Sequence, residues 1–253
     1  MKYISSKENQ LIKNFKLLSV KKYREQFGLF AIEGEKVVLE LLNNYNARIE
    51  YLLIKEGNEA IYQSMIDNSK VYIIEEKLFN SLSNTITSQS VIAVCKQKKS
   101  NIKDIKVSNL LVLDRIQDPG NLGTIIRSAS ASGFNDILLI DSVDVYNEKT
   151  VRSCSGTIFL NNYYNLSTEE FLNFSKSNGY GIIIADMKGE NLFDKNLILP
   201  EKYALVIGNE GRGVSAEIKK SKEKVITIPM QSGVESLNAG VSASIIMFSF
   251  KNK

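Results

Sequence analysis

Three short polar segments carry the side chains that could do chemistry in this sequence, at residues 118–127, 208–213 and 228–238. Each combines glycine or proline, which set special backbone shapes, with amides, carboxylates, hydroxyls or arginine. The chain contains no histidine. Histidine triads, histidine general bases and histidine-ligated metals are therefore excluded. The segments must instead bind and orient a polar or charged ligand with other groups.

The first segment, residues 118–127, suits an anionic or polar partner. Pro119 and Gly120 turn the chain where a helix is expected to begin, and a helix start offers free N–H groups to an anion. Asn121 can orient a polar group, and Arg127 can reach back toward the turn. The alternative is that Asn121 only caps the helix and Arg127 is an ordinary surface cation.

The second segment, residues 208–213, has three glycines in six residues, which lets a ligand approach the backbone closely. It lacks both the G-x-G-x-x-G fingerprint and the P-loop lysine signature, which argues against a hydride-transferring enzyme and an NTPase. The third segment, residues 228–238, leads into a stretch rich in small residues at 239–244. A helix with small residues lets another backbone come close; the alternative is an ordinary buried β-α unit.

Apolar strands are expected to position these segments. Each segment follows a run without charges, at 110–113, 203–207 and 225–228. Such runs are typical of buried parallel strands, and open α/β sheets bind ligands at the carboxyl ends of their strands. A second, smaller α/β alternation fills residues 1–96, and a polar, basic stretch at 97–108 separates it as a linker from a domain at 109–253. The sequence therefore predicts an α/β protein of two domains.

Composition narrows the class of protein further. The chain is 43% apolar and 24% charged, with a net charge of +4. No apolar run approaches the roughly 20 residues that span a bilayer, so no membrane segment is expected. The polar start carries no secretory signal, and Cys95 and Cys154 stand far apart as small core residues, which favours the cytoplasm. Basic residues near the start could follow a phosphate backbone, although a solvated helix face is the common alternative. They are Lys13, Lys16, Lys21, Lys22 and Arg24.

Three longer motifs resemble a known family. They are D-P-G-N-L-G-T-I-I-R-S-A (118–129), L-V-I-G-N-E-G-R-G (205–213) and I-P-M-Q-S-G-V-E-S-L-N-A-G-V-S-A (228–243). Their order and spacing are similar to those of the SpoU-type (TrmH-like) RNA ribose 2′-O-methyltransferases of the knotted SPOUT superfamily. S-S-K-E-N-Q-L-I-K (5–13) and F-A-I-E-G-E-K-V-V-L-E (30–40) resemble the ribosomal-protein-like RNA-binding domain often fused in front.

The resemblance implies a small α/β N-terminal domain followed by a parallel-sheet α/β trefoil-knot methyltransferase domain. It implies a homodimer that uses S-adenosyl-L-methionine as methyl donor and no metal. The substrate is expected to be RNA, with ribosomal RNA favoured over transfer RNA because the N-terminal domain is typical of ribosomal-RNA enzymes. A transfer-RNA methyltransferase and a catalytically silent RNA-binding relative remain the alternatives. A nicotinamide or nucleotide enzyme lacks its glycine fingerprint.

The resemblance also assigns residues. Catalysis and substrate contact fall to Asn121, Arg127, Glu210, Ser236 and Asn238. RNA binding extends to Arg212. Binding of the methyl donor falls to Ala185, Asp186, Met187, Ile207, Gly208, Gly211, Ile228, Met230 and Leu237.

Arg127 is a poor candidate for the proton acceptor, because a guanidinium stays protonated, with a pKa above about 12. We expect it to pair as a bidentate fork with the adjacent RNA phosphate and to stabilise the developing alkoxide. The proton would then leave to phosphate or solvent.

Overall fold

The computed structural model describes residues 1–62, 64–83 and 89–251. The chain divides into two compact units. The first comprises Met1–Gln97 together with Tyr146–Gly156, and the second comprises Lys98–Val145 together with Thr157–Lys253. Among the described residues, no helix combines the length and the apolar character needed to cross a membrane.

Strands and helices alternate along both units. The strands are β1 (Lys2–Ile4), β2 (Leu29–Glu33), β3 (Ile49–Lys55), β4 (Val71–Ile74), β5 (Val91–Lys96), β6 (Asn109–Asp114), β7 (Asp136–Ile140), β8 (Asn162–Asn165), β9 (Gly181–Asn191), β10 (Tyr203–Gly208) and β11 (Lys224–Thr227). The α-helices are α1 (Gln10–Leu17), α2 (Lys21–Phe27), α3 (Glu35–Asn44), α4 (Glu76–Asn80), α5 (Pro119–Ser132), α6 (Glu148–Ser153), α7 (Thr168–Asn178), α8 (Ala216–Lys220) and α9 (Ala239–Lys251). Short 3₁₀ helices lie at Asn46–Arg48, Glu59–Ile61, Asn68–Lys70, Ile102–Asp104 and Thr157–Phe159.

The first unit is built on a five-stranded mixed sheet in the order β1-β4-β3-β5-β2. Strands β1, β4 and β3 run parallel, whereas β5 is antiparallel to both β3 and β2. Helix α1 shows why the local sequence folds as it does. Asn9 caps it by accepting from the Leu11 N–H at 2.9 Å, and Ile12 and Phe15 are buried on one face. Its lysines, in contrast, stay exposed.

Helix α6 belongs to the first unit although it lies within the sequence of the second. It packs against β2, and the ring of Tyr146 lies 4.6 Å from that of Phe30. Helical spacing predicts a helix at residues 147–155, and the helix spans Glu148–Ser153. Spacing alone carries no information about which of the two units such a segment joins.

The second unit contains a six-stranded sheet in the order β11-β9-β10-β6-β7-β8, and every pairing is parallel. All residues of β7 are buried, as are all but the first of β6. Burial on both faces explains why these strands read as continuous apolar runs. Because all six strands run the same way, their carboxyl ends meet at one edge of the sheet. The fold therefore gathers the three polar segments at that edge.

Strand β9 contains an excursion that the sequence does not predict. Val225 of β11 pairs with Ile184, but the next residue, Ile226, pairs with Glu190. Residues 185–189 therefore leave this ladder before pairing resumes. A continuous apolar run predicts a strand over residues 181–185, and this predicted end is wrong because pairing resumes and β9 extends to Asn191. Gly189 permits the close approach, since a Cβ there would lie 2.6 Å from the Val225 carbonyl oxygen.

Helices α5 and α9 pack closely through small residues, as the sequence predicts. A Cβ on Gly240 would lie 3.1 Å from the Thr124 Cγ2 atom, and the Ser128 and Ser244 hydroxyls are 2.6 Å apart. The start of α9 differs from the prediction, because the helix begins at Ala239 rather than at residue 236. Residues 228–238 thus remain an extended polar segment at the edge of the sheet.

Candidate active site

A cavity of about 350 Å³ lies in the second unit, where the segments after β9, β10 and β11 meet. The structure brings all nine residues predicted to bind the methyl donor to its wall. These are Ala185, Asp186, Met187, Ile207, Gly208, Gly211, Ile228, Met230 and Leu237. They come from three separate stretches of the chain, so only the fold brings them together.

The cavity has an apolar wall and a charged edge. Ile207 and Ile246 are buried behind it, and Ile228 is half-buried. At the edge, the Lys219 ammonium lies 2.7 Å from a carboxylate oxygen of Asp186. Burial acts to raise the pKa of the Asp186 carboxyl, but hydrogen bonds from Lys219 and the backbone outweigh it and hold that pKa below its usual range. Asp186 is therefore a charged, fixed acceptor at this edge.

Asn209 shapes the loop at residues 208–213. Its side-chain oxygen accepts from the N–H groups of Gly211 and Arg212 at 3.0 Å each, and its amide group donates to the Arg115 carbonyl at 2.8 Å. Its backbone also pairs with Gly213. Gly208 is required here, because a Cβ would lie 2.3 Å from the Val214 nitrogen. The loop is therefore a rigid backbone surface.

A line of amides and a carboxylate stands beside the cavity. The Asn238 amide donates to the Asn121 side-chain oxygen at 2.8 Å, and the Asn121 amide donates to the Glu210 carboxylate at 2.9 Å. Asp118 caps α5 by accepting from the Asn121 N–H at 2.8 Å. Residues from three predicted segments thus form one connected group, which ends on the exposed Glu210 carboxylate.

The predicted catalytic residues divide by position. Glu210 and Ser236 line the cavity, whereas Asn121 and Asn238 reach it through hydrogen bonds. The Asn238 side-chain oxygen also accepts from the Gly240 N–H at 2.9 Å, so this residue caps α9 as well. Asn238 thus connects Asn121 to the start of α9, and its contact with the substrate stays a prediction.

Arg127 stands apart from that group. It lies six residues after Asn121 on α5, is exposed, and does not line the cavity. Within the described part of the chain its guanidinium has no hydrogen-bond or ion-pair partner. Arg212, predicted to bind RNA, is exposed and borders the cavity. The two arginines are therefore available to a ligand from outside.

The predicted RNA-binding cations of the first unit are not equivalent. Lys13, Lys16, Lys21 and Lys22 are exposed on α1 and α2. Arg24, in contrast, is 5% exposed and donates through one guanidinium nitrogen to the Leu18 and Ser19 carbonyls, at 2.7 and 2.8 Å. These contacts connect α1 to α2, so Arg24 has a structural role and is withdrawn from the RNA-binding set.

Two residues at the site were missed by sequence reasoning. Asn209 lies inside a quoted motif, and its frequent use in turns was a signal that could have identified it. Lys219 lies on α8, outside every motif, and nothing in the sequence connects it to Asp186. Only the three-dimensional structure identifies such a partner.

The fold and the site define a class of protein. A parallel α/β sheet presents a largely apolar cavity at the carboxyl ends of its strands, walled by three stretches of chain and flanked by amides, a carboxylate and the exposed Arg212. The loops carry neither a dinucleotide fingerprint nor a P-loop. Such a site can hold a small apolar donor against a polar acceptor, which is the arrangement of a group-transfer enzyme.

Comparison with known proteins identifies the family. Residues 108–248 match the SpoU rRNA Methylase family, and residues 9–93 match the MRM3-like substrate binding domain. The chain therefore belongs to the SpoU rRNA methylase family and is a methyltransferase. The family predicted from the three motifs is confirmed, as is the enzyme class.

Relatives and solved structures agree along the whole chain. The 23S rRNA (guanosine(2553)-2′-O)-methyltransferase RlmP of Bacillus subtilis is 31% identical, with 98% of each chain covered. The AdoMet-bound rRNA methyltransferase from Sinorhizobium meliloti has a TM-score of 0.86 at 26% identity, covering 99% of this chain and 97% of the other. A putative RNA methyltransferase of the TrmH family from Porphyromonas gingivalis has a TM-score of 0.83 at 30% identity, covering 95% and 96%. The predicted fold class, a small α/β domain followed by a parallel-sheet α/β methyltransferase domain, is confirmed, and the trefoil knot stays a prediction.

Proposed function

We propose that this chain transfers a methyl group from S-adenosyl-L-methionine to a ribose 2′-hydroxyl of ribosomal RNA. One observation carries the proposal: residues of the second and third motifs, together with residues 185–187, line one cavity, and Asn121 of the first motif donates to the cavity-lining Glu210. The name of the Bacillus subtilis relative, a 23S rRNA 2′-O-methyltransferase, supports ribosomal RNA as the substrate.

The cavity suits the methyl donor in size and character. Its volume of about 350 Å³ falls within the range of small-molecule sites, roughly 300–1,000 Å³. The apolar wall of Ile207, Ile228 and Leu237 would pack against the adenine ring, and the backbone of residues 208–211 lies open beside it. Once bound, the donor supplies a sulfonium methyl group. The S–CH₃ bond breaks as the O–CH₃ bond forms, and the hydroxyl proton leaves.

Glu210 is placed to engage the hydroxyl. Two carboxylates, those of Asp186 and Glu210, line the cavity among the described residues, and Asp186 is committed to Lys219. Glu210 is oriented by Asn121 at 2.9 Å and, at 3.4 Å, by Asn209. A carboxylate held in this way can accept the hydroxyl hydrogen bond and then the proton, in place of phosphate or solvent.

Arg127 and Arg212 would hold the RNA backbone. Both guanidinium groups are exposed, and neither has a partner among the described residues. A guanidinium fork matches two phosphate oxygens, which fixes the nucleotide as well as attracting it. We assign the phosphate next to the target ribose to Arg127. Arg212, at the edge of the cavity, would hold the RNA backbone there.

The first unit would dock the RNA. Its exposed lysines, Lys13, Lys16, Lys21 and Lys22, lie on two consecutive helices. The ring of Tyr23 lies 6.1 Å from that of Phe27, which is 37% exposed, and the Lys22 ammonium lies 6.0 Å from the centre of the Tyr23 ring. Lysines beside accessible aromatic rings suit a polyanion with stackable bases. The match to a substrate-binding domain over residues 9–93 supports this assignment.

We further propose that the chain acts as a homodimer through an apolar face of α9. Val241 and Phe248 are 46% and 43% exposed, and Phe193, which lines a groove with Phe248, is 56% exposed. Ile245 and Phe248 line an open groove together with Phe193. Contiguous exposed apolar surface of this kind marks an interaction site. This apolar face lies on α9, the same helix that lines the donor cavity. We therefore assign a second copy of the chain as its occupant.

The molecular mass of the purified chain in solution tests whether it forms a dimer. Sedimentation of the purified chain should give twice the mass of the monomer, and Phe248→Glu should give the monomer mass. Lys251→Glu, at the polar end of the same helix, should leave the dimer intact. A monomeric wild-type chain at micromolar concentration would contradict the assignment.

The function itself is tested by mapping ribose methylation in cellular RNA. Ribosomal RNA lies in the cytoplasm of a bacterium, and we place the chain there. Ribose-methylation mapping of total RNA from a deletion strain should show one lost 2′-O-methyl group in ribosomal RNA, restored by the intact gene. Loss of a 2′-O-methyl group from transfer RNA instead would identify transfer RNA as the substrate. An unchanged map together with no binding of labelled donor would indicate a silent RNA-binding relative.

A further inference from the structure

A second cavity, of about 420 Å³, lies beside the first in the same unit. Its lining residues are all polar or charged and come from the segments after β6, β7 and β10. The lining residues are Arg115, Gln117, Asp141, Asn209 and Arg212. Arg212 borders both cavities, and Asn209 also contacts Glu210. Whatever enters the second cavity therefore lies next to the proposed site of methyl transfer.

Arg115 is held in place in an unfavourable backbone conformation. Its φ is 61°, a region that costs a residue with a side chain of this size. Its N–H donates to the Ile140 carbonyl at 2.8 Å, and its carbonyl accepts from Asn209 at 2.8 Å. Its side chain is aimed by contacts with the buried Asp114 at 3.1 Å and with the Gly213 carbonyl at 3.4 Å. The remaining N–H groups of the guanidinium are left to a ligand.

Asp141 faces the same cavity with an available carboxylate. Its φ is 45°, which Asp and Asn tolerate better than most residues. The Gln117 amide donates to its backbone carbonyl at 2.8 Å and leaves the carboxylate untouched. Across residues 1–62, 64–83 and 89–251, that carboxylate has no hydrogen-bond or ion-pair partner. It is an exposed acceptor of hydrogen bonds.

We propose that this second cavity receives the base of the target nucleotide and that the base is guanine. The inference rests on the proposed function. Guanine presents adjacent acceptors, O6 and N7, and adjacent donors, N1–H and N2–H₂. An arginine fork is the usual partner of the first pair, and a carboxylate is the matching partner of the second. Arg115 supplies the fork, and Asp141 supplies the carboxylate.

The combination of charges argues against an ordinary phosphate site. Two arginines alone would suit a phosphate group, but the free Asp141 carboxylate would repel it. Adenine and the pyrimidines lack one or other pair of adjacent groups. A base extruded into such a pocket would leave its ribose at the boundary of the two cavities, where Glu210 lies.

The first test identifies the methylated nucleoside. Ribosomal RNA from the deletion strain is incubated with the full chain and S-adenosylmethionine carrying a labelled methyl group, and is then digested to nucleosides. Label in 2′-O-methylguanosine supports the inference. Label in another ribose-methylated nucleoside overturns it and leaves the proposed function standing, whereas the absence of label from all four removes both.

The second test assigns Asp141. Asp141→Asn keeps the left-handed backbone and removes the charge; we expect kcat/KM for ribosomal RNA to fall about tenfold, since a good base contact contributes roughly 5- to 150-fold in discrimination. Donor affinity should not change. The control, Glu201→Ala, removes an exposed carboxylate just before the amino end of β10 and should change neither quantity.

Inosine separates recognition from a structural role. On a synthetic fragment containing the mapped guanosine, replacement by inosine removes only the N2 amine. Wild-type kcat/KM should fall about fivefold or more, because a base contact is lost. An Asp141→Gly enzyme tolerates the φ of 45° and has no side-chain acceptor, so it should be indifferent to the replacement. An equal fall in both enzymes would show that Asp141 does not contact the amine and would overturn its assignment.

Discussion

The two cavities at the edge of the second sheet are built in different ways. The proposed donor cavity is walled by backbone and apolar side chains from the second and third motifs and from residues 185–187. The proposed base cavity is walled by charged and amide side chains, of which Arg115, Gln117 and Asp141 lie outside the residues that any motif singled out. Asn209 and Arg212 line both cavities, and Asn209 also contacts Glu210 of the donor cavity.

The difference teaches what each ligand requires. A donor common to many methyltransferases can be held by backbone shape, and backbone shape depends on glycines and turns that recur as motifs. A particular base must be recognised by side-chain hydrogen bonds, which single substitutions can change. Variants on the donor side should therefore affect folding and donor affinity together, whereas variants on the base side should affect RNA turnover alone.

Glu210, at the boundary, should give the largest effect. Glu210→Gln keeps the shape and the hydrogen bond to Asn121 but cannot accept a proton. We expect kcat to fall about 10²- to 10⁴-fold, the usual contribution of a general base. Single-turnover methylation measures it, and calorimetry should show unchanged donor affinity. A fall of less than about threefold would contradict this role for Glu210 and would indicate that phosphate or solvent accepts the hydroxyl proton.

The donor cavity is tested through its backbone. Gly208→Ala adds a Cβ 2.3 Å from the Val214 nitrogen. The loop must shift, and we expect a loss of about 1–3 kcal/mol in the free energy of unfolding together with weaker donor binding. Gly211→Ala is the matched control, because its Cβ would meet nothing nearer than the Asn209 side-chain oxygen at 3.8 Å. Equal melting temperatures for the two variants would contradict a backbone-built wall.

Arg127 tests the RNA side. Arg127→Lys keeps the charge and loses the fork, so kcat/KM for RNA should fall about tenfold, in line with the strength of bidentate pairing. The residue is exposed and has no partner among the described residues, so the melting temperature should not move. Near-full activity of this variant would exclude a bidentate phosphate contact.

The smallest effect is expected on the free energy of unfolding at acid pH. The pKa of the Asp186 carboxyl is lowered in the folded chain, so its stabilisation is complete above the ordinary value of 3.8 and is lost as pH falls through the lower, folded value. Lys219→Gln removes the 2.7 Å partner. Below pH 3.8 its free energy of unfolding should therefore change less steeply with pH than that of the wild type. Near neutral pH, where the wild-type ion pair is complete, the two slopes should be equal. Denaturation curves across this range measure the slopes, and parallel slopes would contradict the ion pair.

Much of the fold could be predicted because local patterns determine it. Continuous apolar runs identified the buried strands, and the small residues at 239–244 predicted that another backbone approaches α9 closely, although only the structure shows that this partner is α5. The excursion in β9 could not be predicted, because it depends on where β11 pairs. Nor could the burial of Arg24, which depends on carbonyls at the end of the preceding helix.

The sequence by itself determined the family, the apolar strands and the loops of the donor site, because these depend on contiguous residues with restricted backbone shapes. The tertiary structure alone decided which side chains meet. It joined Asn121, Glu210 and Asn238 across about 90 to 120 positions of chain, paired Lys219 with Asp186, and set Arg115 beside Asp141. The physical reason is that hydrogen bonds and ion pairs act over a few ångströms in space, whatever the separation along the chain.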